Sequence, residues 1–353
     1  MVEPARRARV ERVLAAARLL AERDSDAGQA LRRELLQTTG LSAAGVELGL
    51  GCLETQPSER ELGALLAATP EAPHAHVLLS GNVFVAALRA IAIACAASMR
   101  VSVRHSRRDP ALARALARLL PDLVELVEED LAPQAGDHLW AYGTDETLHA
   151  LKGRLRKGVW FHGHGNGVGA VVVEPKVLDL ASAARRIALD TVVFDQRGCL
   201  SPRAVLVVGS AEQTREVALA LTEALKALDV EVPLGPQSAA ERASARREAA
   251  AARYACELFE TSSGWVALAQ ETLPLFPGQA RCLSVMRTLE PQMALLPLLP
   301  FLTCVGSAVS EPLATRLRGA LPGARHAALG EMQHPPLDGP VDLRHGTRGE
   351  LIR

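Results

Sequence analysis

HVLLSGNVFVAALRAIAIACAASMRVSVRHSRRDP, residues 76–110, decides the reading of the fold. His76–Ser80 is a short apolar run of strand length, and Gly81-Asn82 is a tight turn. Val83–Ser98 is apolar over the length of a helix, and Arg100–Arg104 returns to strand chemistry. Asp109-Pro110 supplies an N-cap followed by proline at the first helical position, opening the helix ALARALARLL.

The same alternation continues outward. Leu123–Val127, His138–Tyr142 and Gly158–Phe161 read as third, fourth and fifth strands, with a further helix after Gly143-Thr144. Upstream, residues 5–23 repeat apolar positions at helical spacing, and Ser58-Glu59-Arg60-Glu61 has capping-box spacing. Downstream, Gly169–Val173 is a strand and Leu178–Phe194 is largely helical. The turn Asp195–Pro202 leads into the strand Arg203–Val208. Helices are predicted over 211–228 and 237–258, with Ala239–Ala252 presenting a solvated face. Strands follow at 264–269, 281–287 and 301–306, and a Gly- and Pro-rich tail begins at Gly330. Strands alternating with helices predict an α/β protein whose parallel sheets are covered on both faces. Such sheets take ligands where strands end and helices begin. Ser80-Gly81-Asn82 and Gly143-Thr144-Asp145 are two such junctions, with backbone N–H groups suited to a phosphate or an oxyanion.

A length of 353 residues fits two domains, and 48% hydrophobic residues supply their cores. A formal charge of -1 and 3% aromatics give no electrostatic or stacking platform for nucleic acid, so none is expected as a partner. Val83–Met99 is interrupted by Arg89 and is short for a membrane span. The N-terminus lacks the clean apolar core of a secretory signal. The six cysteines, at 52, 95, 199, 256, 282 and 304, form no CxxC pair, which fits a reduced, cytoplasmic chain without a cysteine-held metal. No metal is expected. Lysine is confined to positions 152, 157, 176 and 226, and the remaining basic residues are arginine.

Cys199 is the candidate nucleophile. It follows Asp195-Gln196-Arg197-Gly198, and Gly198 admits close approach by a substrate. Buried, inert thiols are common; Cys95, in an apolar helix, and Cys304, in an apolar strand, suit that description better than Cys199. Arg197 is a cation that could act on the thiol.

FDQRGCLSP followed by the strand RAVLVV resembles the nucleophile segment of acyl-CoA reductases of the bacterial bioluminescence fatty-acid reductase type, within the aldehyde dehydrogenase superfamily. LLSGNVFVAALRAIAIACAASMRVSVRHSRRDP resembles the cofactor-side stretch, HGHGNGVGAVVV the linker strand and GEMQHPPLDGP the closing segment. Together they span about residues 70–345. The resemblance implies an aldehyde-dehydrogenase-like α/β fold. A parallel-sheet, Rossmann-type nicotinamide cofactor domain with N-terminal helices would occupy residues 1–164. An α/β catalytic cysteine domain would occupy 165–329, and a tail, 330–353, would return to the first domain. The site is expected in the cleft between the domains, with Cys199 facing Asn82.

The resemblance also assigns roles. Asn82 matches an amide that helps form an oxyanion hole; a turn asparagine satisfying its own backbone is the alternative. Arg104 and Ser106 match a Lys-x-Ser that contacts the cofactor ribose, with arginine in place of lysine. Arg107 and Arg108 could pair with a 2′-phosphate or form a solvated charge cluster. Gly143 and Thr144 match a turn beside the pyrophosphate, or a plain helix cap. Oxidising members of the superfamily carry a water-activating glutamate in the linker segment, where this chain has His162-Gly163-His164-Gly165. His164 would serve as proton donor or base, or would pack at a hinge.

The expected activity is therefore reduction of a fatty acyl-CoA, or another acyl-thioester, to a fatty aldehyde through a cysteine acyl-enzyme. NADPH is the expected cofactor, with NADH as the alternative. The rival readings are aldehyde oxidation by a related dehydrogenase, a non-catalytic, degenerate acyl- or protein-binding subunit, and a non-redox cysteine acyltransferase. The chain is shorter than typical superfamily members, which leaves assembly as a homo-oligomer open.

Overall fold

The computed structural model describes residues 2–270, 281–344, 346 and 349–353. The chain divides into two compact units. The first contains Met1–Thr39, Gly49–Asn166 and Pro336–Arg353; the second contains Gly40–Leu48 and Gly167–Pro335. Both are α/β, as the alternation of strand and helix patterns predicts.

In chain order, the first part runs α1 (Val2–Ala21), α2 (Asp26–Thr38), α3 (Ala43–Leu50), α4 (Glu59–Ala68), β1 (Ala75–Leu78), α5 (Ala86–Ala97), β2 (Val101–Arg104), α6 (Ala111–Leu119), β3 (Val124–Leu126), β4 (His138–Tyr142), α7 (Asp145–Lys152) and β5 (Trp160–His164). The sheet of the first unit has the order β5-β4-β1-β2-β3, all parallel. The two-residue strand Glu350–Leu351 adds antiparallel to β5. Helix α1 buries Val10, Val13, Leu14, Ala17 and Leu20, one stripe at helical spacing. Helix α5 is buried from Ala87 to Ala97 because α1, α6 and the sheet all pack on it, which explains its apolar composition on every side.

Arg89 is the exception within that run. It is 4% exposed, pairs with Glu54 at 2.5 Å and donates to the carbonyls of Gly339 at 2.6 Å and Pro336 at 2.9 Å. A guanidinium in this setting is tolerated because its charge and its donors are met. The residue that interrupts the apolar run is thus the anchor that holds the closing tail to the first unit.

The second unit continues with β6 (Val168–Val173), α8 (Leu180–Val192), β7 (Pro202–Val207), α9 (Ala211–Glu231), α10 (Ala239–Ala255), β8 (Glu257–Glu260), β9 (Gly264–Ala269), β10 (Arg281–Arg287), α11 (Pro291–Leu295), β11 (Leu302–Ala308), α12 (Glu311–Ala320) and β12 (Arg325–Ala328). Its sheet order is β12-β11-β6-β7-β10-β9-β8, parallel except for the β8–β9 pair. One core cluster joins Val172, Leu206, Leu302 and Val305 of the sheet to Leu313 and Leu317 of α12.

Three local departures from the sequence reading have physical causes. The helix expected over 237–258 ends at Ala255, and Glu257–Glu260 is instead an edge strand, because the main chain turns extended at Cys256 (φ -143, ψ 159). Helices α2 and α12 were not anticipated, although both have a serine at the N-cap, Ser25 and Ser310. The helix expected to reach Phe194 ends at Val192 and passes into a turn of opposite hand.

Replacing Arg89 by Met should leave Glu54 and two tail carbonyls unmatched, costing about 3–5 kcal/mol. Trypsin cleavage at Arg344 in the tail should accelerate by on the order of tenfold or more under native conditions. An unchanged cleavage rate in the folded variant would mean that other contacts hold the tail.

Candidate active site

In the first unit the strand order reverses beside β1: the chain moves out through β2 and β3, then resumes on the other side at β4. This is the switch point at which open parallel sheets take ligands outside their carboxyl ends. The predicted cofactor-side residues gather along that edge. Asn82 lies exposed in the turn after β1, Ser106 and Arg107 follow β2, Gly143 and Thr144 follow β4, and His164 ends β5. Strand register brings Leu78 level with Arg104 and Ala141, and Tyr142 level with His164.

The turns after β1 and β2 are close-packed. A Cβ at Gly81 would stand 2.4 Å from Ser106 Oγ and 3.1 Å from Arg108 Cβ, so a side chain there would require Ser106 to move. Ser106 Oγ in turn accepts from the Arg108 N–H at 3.1 Å. Arg104 forms an ion pair with Asp130, beyond the end of β3. Its charge is therefore already matched, whereas Arg107 and Arg108 lie exposed on the same loop. Thr144 caps α7, accepting from Thr147 N–H at 3.2 Å, and Gly143 N–H donates to the His164 carbonyl at 3.2 Å. The Thr144 hydroxyl thus serves as the side-chain cap of α7 at the sheet edge.

His164 is 9% exposed and stacks on Tyr142, ring centres 4.7 Å apart. The closing tail brings a carboxylate near it that local sequence patterns do not reveal. Burial pushes the Asp342 carboxyl upward. The Arg344 hydrogen bonds, at 2.8 and 2.7 Å, and its charge outweigh that effect, and with a contribution from His164 they hold Asp342 below the usual carboxylate range. His162, two residues before His164, is different. Burial, with the His138 and His164 charges, depresses its pKa to about 3, and its ring stacks on Trp140 at 4.5 Å. His162 is a neutral packing residue at physiological pH.

In the second unit Cys199 lies half-buried at the amino ends of the parallel strands, between α8 and β7. Ser201 N–H donates to the Gly198 carbonyl at 3.1 Å, closing a turn around Cys199 and Leu200. Thr303 Oγ1 donates to the Cys199 carbonyl. A Cβ at Gly167 would meet Cys199 Cβ at 2.8 Å and Thr303 Cγ2 at 2.5 Å, so the chain before β6 must be glycine there. Burial raises the Cys95 and Cys282 thiols to about 12 and lifts Cys304 and Cys256 as well, marking these four as poor thiolates.

The approach to Cys199 is strained. Phe194 (φ 56), Asp195 (φ 51) and Gln196 (φ 60) are all left-handed and all buried, at a cost of about 1–2 kcal/mol per residue. The compensation is a buried network. Arg281, with no exposed surface, donates to Asp195 Oδ1 at 2.6 Å, Asp229 Oδ1 at 3.2 Å and the Val232 carbonyl at 2.7 Å. Asp195 Oδ2 also accepts from Gly235 N–H at 3.2 Å. The Gln196 amide donates to the Pro202 and Cys282 carbonyls and accepts from Cys282 N–H at 2.8 Å, which pairs its backbone as another strand would. Arg197, read from sequence as a cation that could act on the thiol, pairs with Asp195 at 3.6 Å and donates to the Gly40 carbonyl at 3.3 Å.

The closing segment braces the same turn. Asp190 Oδ2 and Oδ1 accept from Gly330 and Met332 N–H at 2.7 and 3.0 Å, and Gln333 Nε2 donates to the Asp190 carbonyl at 3.0 Å and Ser201 Oγ at 3.3 Å. Burial dominates the Asp190 carboxyl, and its pKa rises to about 7 despite those amides.

The fold is like that of aldehyde dehydrogenases, and three solved structures show the likeness. The NAD-dependent aldehyde dehydrogenase from Sinorhizobium meliloti matches with a TM-score of 0.64 at 15% identity, covering 92% of this chain and 74% of that one. An oxidoreductase from Marinobacter aquaeolei matches with a TM-score of 0.67 at 13% identity, covering 95% and 79%. An indole-3-acetaldehyde dehydrogenase, solved with NAD+, matches with a TM-score of 0.66 at 15% identity, covering 92% and 76%. The sequence pattern of the acyl-CoA reductase (LuxC) family matches residues 54–287, and the chain belongs to that family. It is accordingly an oxidoreductase of the acyl-reductase type. No curated protein matches the chain.

Replacing Arg281 by Met should leave Asp229 as an uncompensated buried charge and Asp195 with only its longer Arg197 pair, and lower stability by about 3–5 kcal/mol in urea unfolding. A loss under about 1 kcal/mol would show that the Arg197 pair and the Gln196 bonds hold the turn without Arg281. Asp190 gives a pH test. Its folded pKa is raised above the unfolded value, so the native state binds the extra proton and stability falls as pH rises from about 4 to 7. Asp190→Asn should flatten stability across that window; an unchanged slope would assign the pH dependence elsewhere.

Proposed function

We propose that the chain reduces a fatty acyl-CoA, or another acyl-thioester, to the aldehyde through an acyl-enzyme on Cys199, with NADPH as reductant. The observation that carries this reading is Cys199 itself. It is a half-buried thiol at the end of a turn held in a costly conformation by a buried ion network, in a member of the acyl-CoA reductase family. A turn that served only to connect α8 to β7 would not need three left-handed residues.

The carboxyl edge of the first sheet fits a dinucleotide. The switch point, the close-packed turns at Gly81 and Ser106 and the start of α7 at the same edge support this reading. Ser80–Asn82, Ser106, Gly143 and Thr144 would hold the cofactor. Arg107 and Arg108 are the cations open to a 2′-phosphate, Arg104 being paired with Asp130. The bound nicotinamide supplies the hydride.

The Cys199 sulfur attacks the thioester carbonyl; the carbon–sulfur bond to the CoA breaks, and the CoA thiolate departs to take up a proton. Asn82 is assigned as an amide donor to the oxyanion. Hydride addition to the acyl-cysteine gives a thiohemiacetal oxyanion. Its collapse breaks the bond to Cys199, releases the aldehyde and returns the thiolate. His164, at the end of β5, is assigned to proton transfer, a role that an imidazole's ordinary pKa suits. The segment around His164 carries no glutamate, so nothing there replaces hydride by water as the acceptor of the acyl group.

The test is NADPH oxidation by purified chain given a long-chain acyl-CoA, with aldehyde measured directly. Wild type should form aldehyde, and Cys199→Ala should form none. Asn82→Ala should lower kcat by about 10²–10³-fold with folding intact. Consumption with NADH alone would correct the cofactor. A folded chain that neither turns over any acyl-CoA nor binds either nicotinamide would overturn the reading and favour a binding subunit.

A further inference from the structure

We propose that His74, His76 and Asp137 form a binding site for one zinc ion at the amino-terminal edge of the first unit's sheet, clipping β1 to β4. This site lies at the other end of β1 from the turn that carries Asn82, so its role is structural and is independent of the cysteine chemistry.

The placement follows from strand geometry. In His74-Ala75-His76 the strand period of two puts both imidazoles on one face. Their ring centres are 4.0 Å apart and the rings are tilted by 36°. Parallel pairing sets Ala75 opposite His138, and His138 N–H donates to the His74 carbonyl at 3.1 Å. Asp137, immediately before β4, is thereby carried to the two histidines. One donor atom from each residue lies within 4.8 Å of the others. His76 Nε2 and Asp137 Oδ2 stand 3.4 Å apart. That is long for a hydrogen bond. It is close to the ~3.4 Å between neighbouring corners of a tetrahedron with metal–ligand bonds of about 2.0–2.1 Å.

His76 is 5% exposed, and Nε2, the nitrogen that faces Asp137, is the atom it would offer to the ion. The outer contacts are also those of a metal centre. Asp137 Oδ2 accepts from Gln134 N–H at 2.8 Å, and His74 Nε2 bonds Ser102 Oγ at 2.9 Å, which reaches Glu125 Oε2 at 3.4 Å. The Arg100 charge opposes a cation there, and the Asp137 and Glu125 carboxylates oppose Arg100. Three protein ligands of N and O type leave a fourth position for water, and imidazole with carboxylate suits zinc.

The test is a titration of the metal-stripped full chain with zinc, and in parallel with cobalt as a spectroscopic substitute. We expect one ion per chain, a rise in Tm on binding, and a cobalt spectrum of tetrahedral type without a thiolate charge-transfer band. His76→Ala and Asp137→Asn should each weaken zinc binding by at least about 10–100-fold. His74→Gln, at a half-buried position, should do the same and serves if His76→Ala does not fold. Three outcomes would overturn the proposal: a folded wild-type chain that takes up no zinc, binding unchanged in the variants, or cobalt held with a thiolate band, which would assign the ion to a cysteine.

Discussion

The ion pair that Arg281 shares between Asp195 and Asp229 is the interaction on which the second unit's site depends. Three fully or nearly buried charges are costly to desolvate, and they persist because each is answered by a further bond. Asp195 takes the Gly235 amide, Asp229 takes Ser262, the Ser263 hydroxyl and the Ser263 amide, and Arg281 takes the Val232 carbonyl. The geometry this imposes is one that ordinary residues avoid. Phe194, Asp195 and Gln196 would each relax to right-handed or extended backbone if released. Held as they are, they end α8 abruptly, reverse the chain and deliver Gly198-Cys199 to the amino ends of the strands, where Gly167 leaves room and Thr303 fixes the cysteine carbonyl.

The first unit achieves placement differently, through register. Parallel strands in the order β5-β4-β1-β2-β3 align their carboxyl ends, so short turns after β1, β2 and β4 converge without a buried ion network. What is buried and charged there is Arg89, and its task is to retain the tail. The tail also carries Asp342, whose carboxylate Arg344 holds by hydrogen bonds at 2.8 and 2.7 Å. The closing segment as a whole thus acts twice: residues 330–333 brace the turn around Cys199, and residues from Pro336 onward belong with the first unit.

Much of this was legible in the sequence. Apolar runs of strand length between glycine-containing turns located β1, β4, β6, β7, β9 and β10, because a strand buried on both faces needs no polar side. Ser58 and Glu61 marked the start of α4 by capping chemistry alone, and both reciprocal bonds are present. Cys199 stood out because polar and small neighbours are incompatible with a packed thiol. The family resemblance rested on motifs that are contiguous in the chain, and contiguous motifs survive without a structure.

What only the tertiary structure decided was every pairing between distant residues. Arg281 and Asp195 are 86 positions apart, Arg89 and Gly339 are 250 apart, and His76 and Asp137 are 61 apart. Local periodicity carries no information on such contacts, because it reports which face of an element is apolar and not which element covers it. The left-handed turn was hidden for a related reason: phenylalanine, aspartate and glutamine do not announce positive φ, and only the network around them makes it affordable. The residues fixed where helices and strands would form and which thiol to suspect; packing and buried charge decided how that thiol is held.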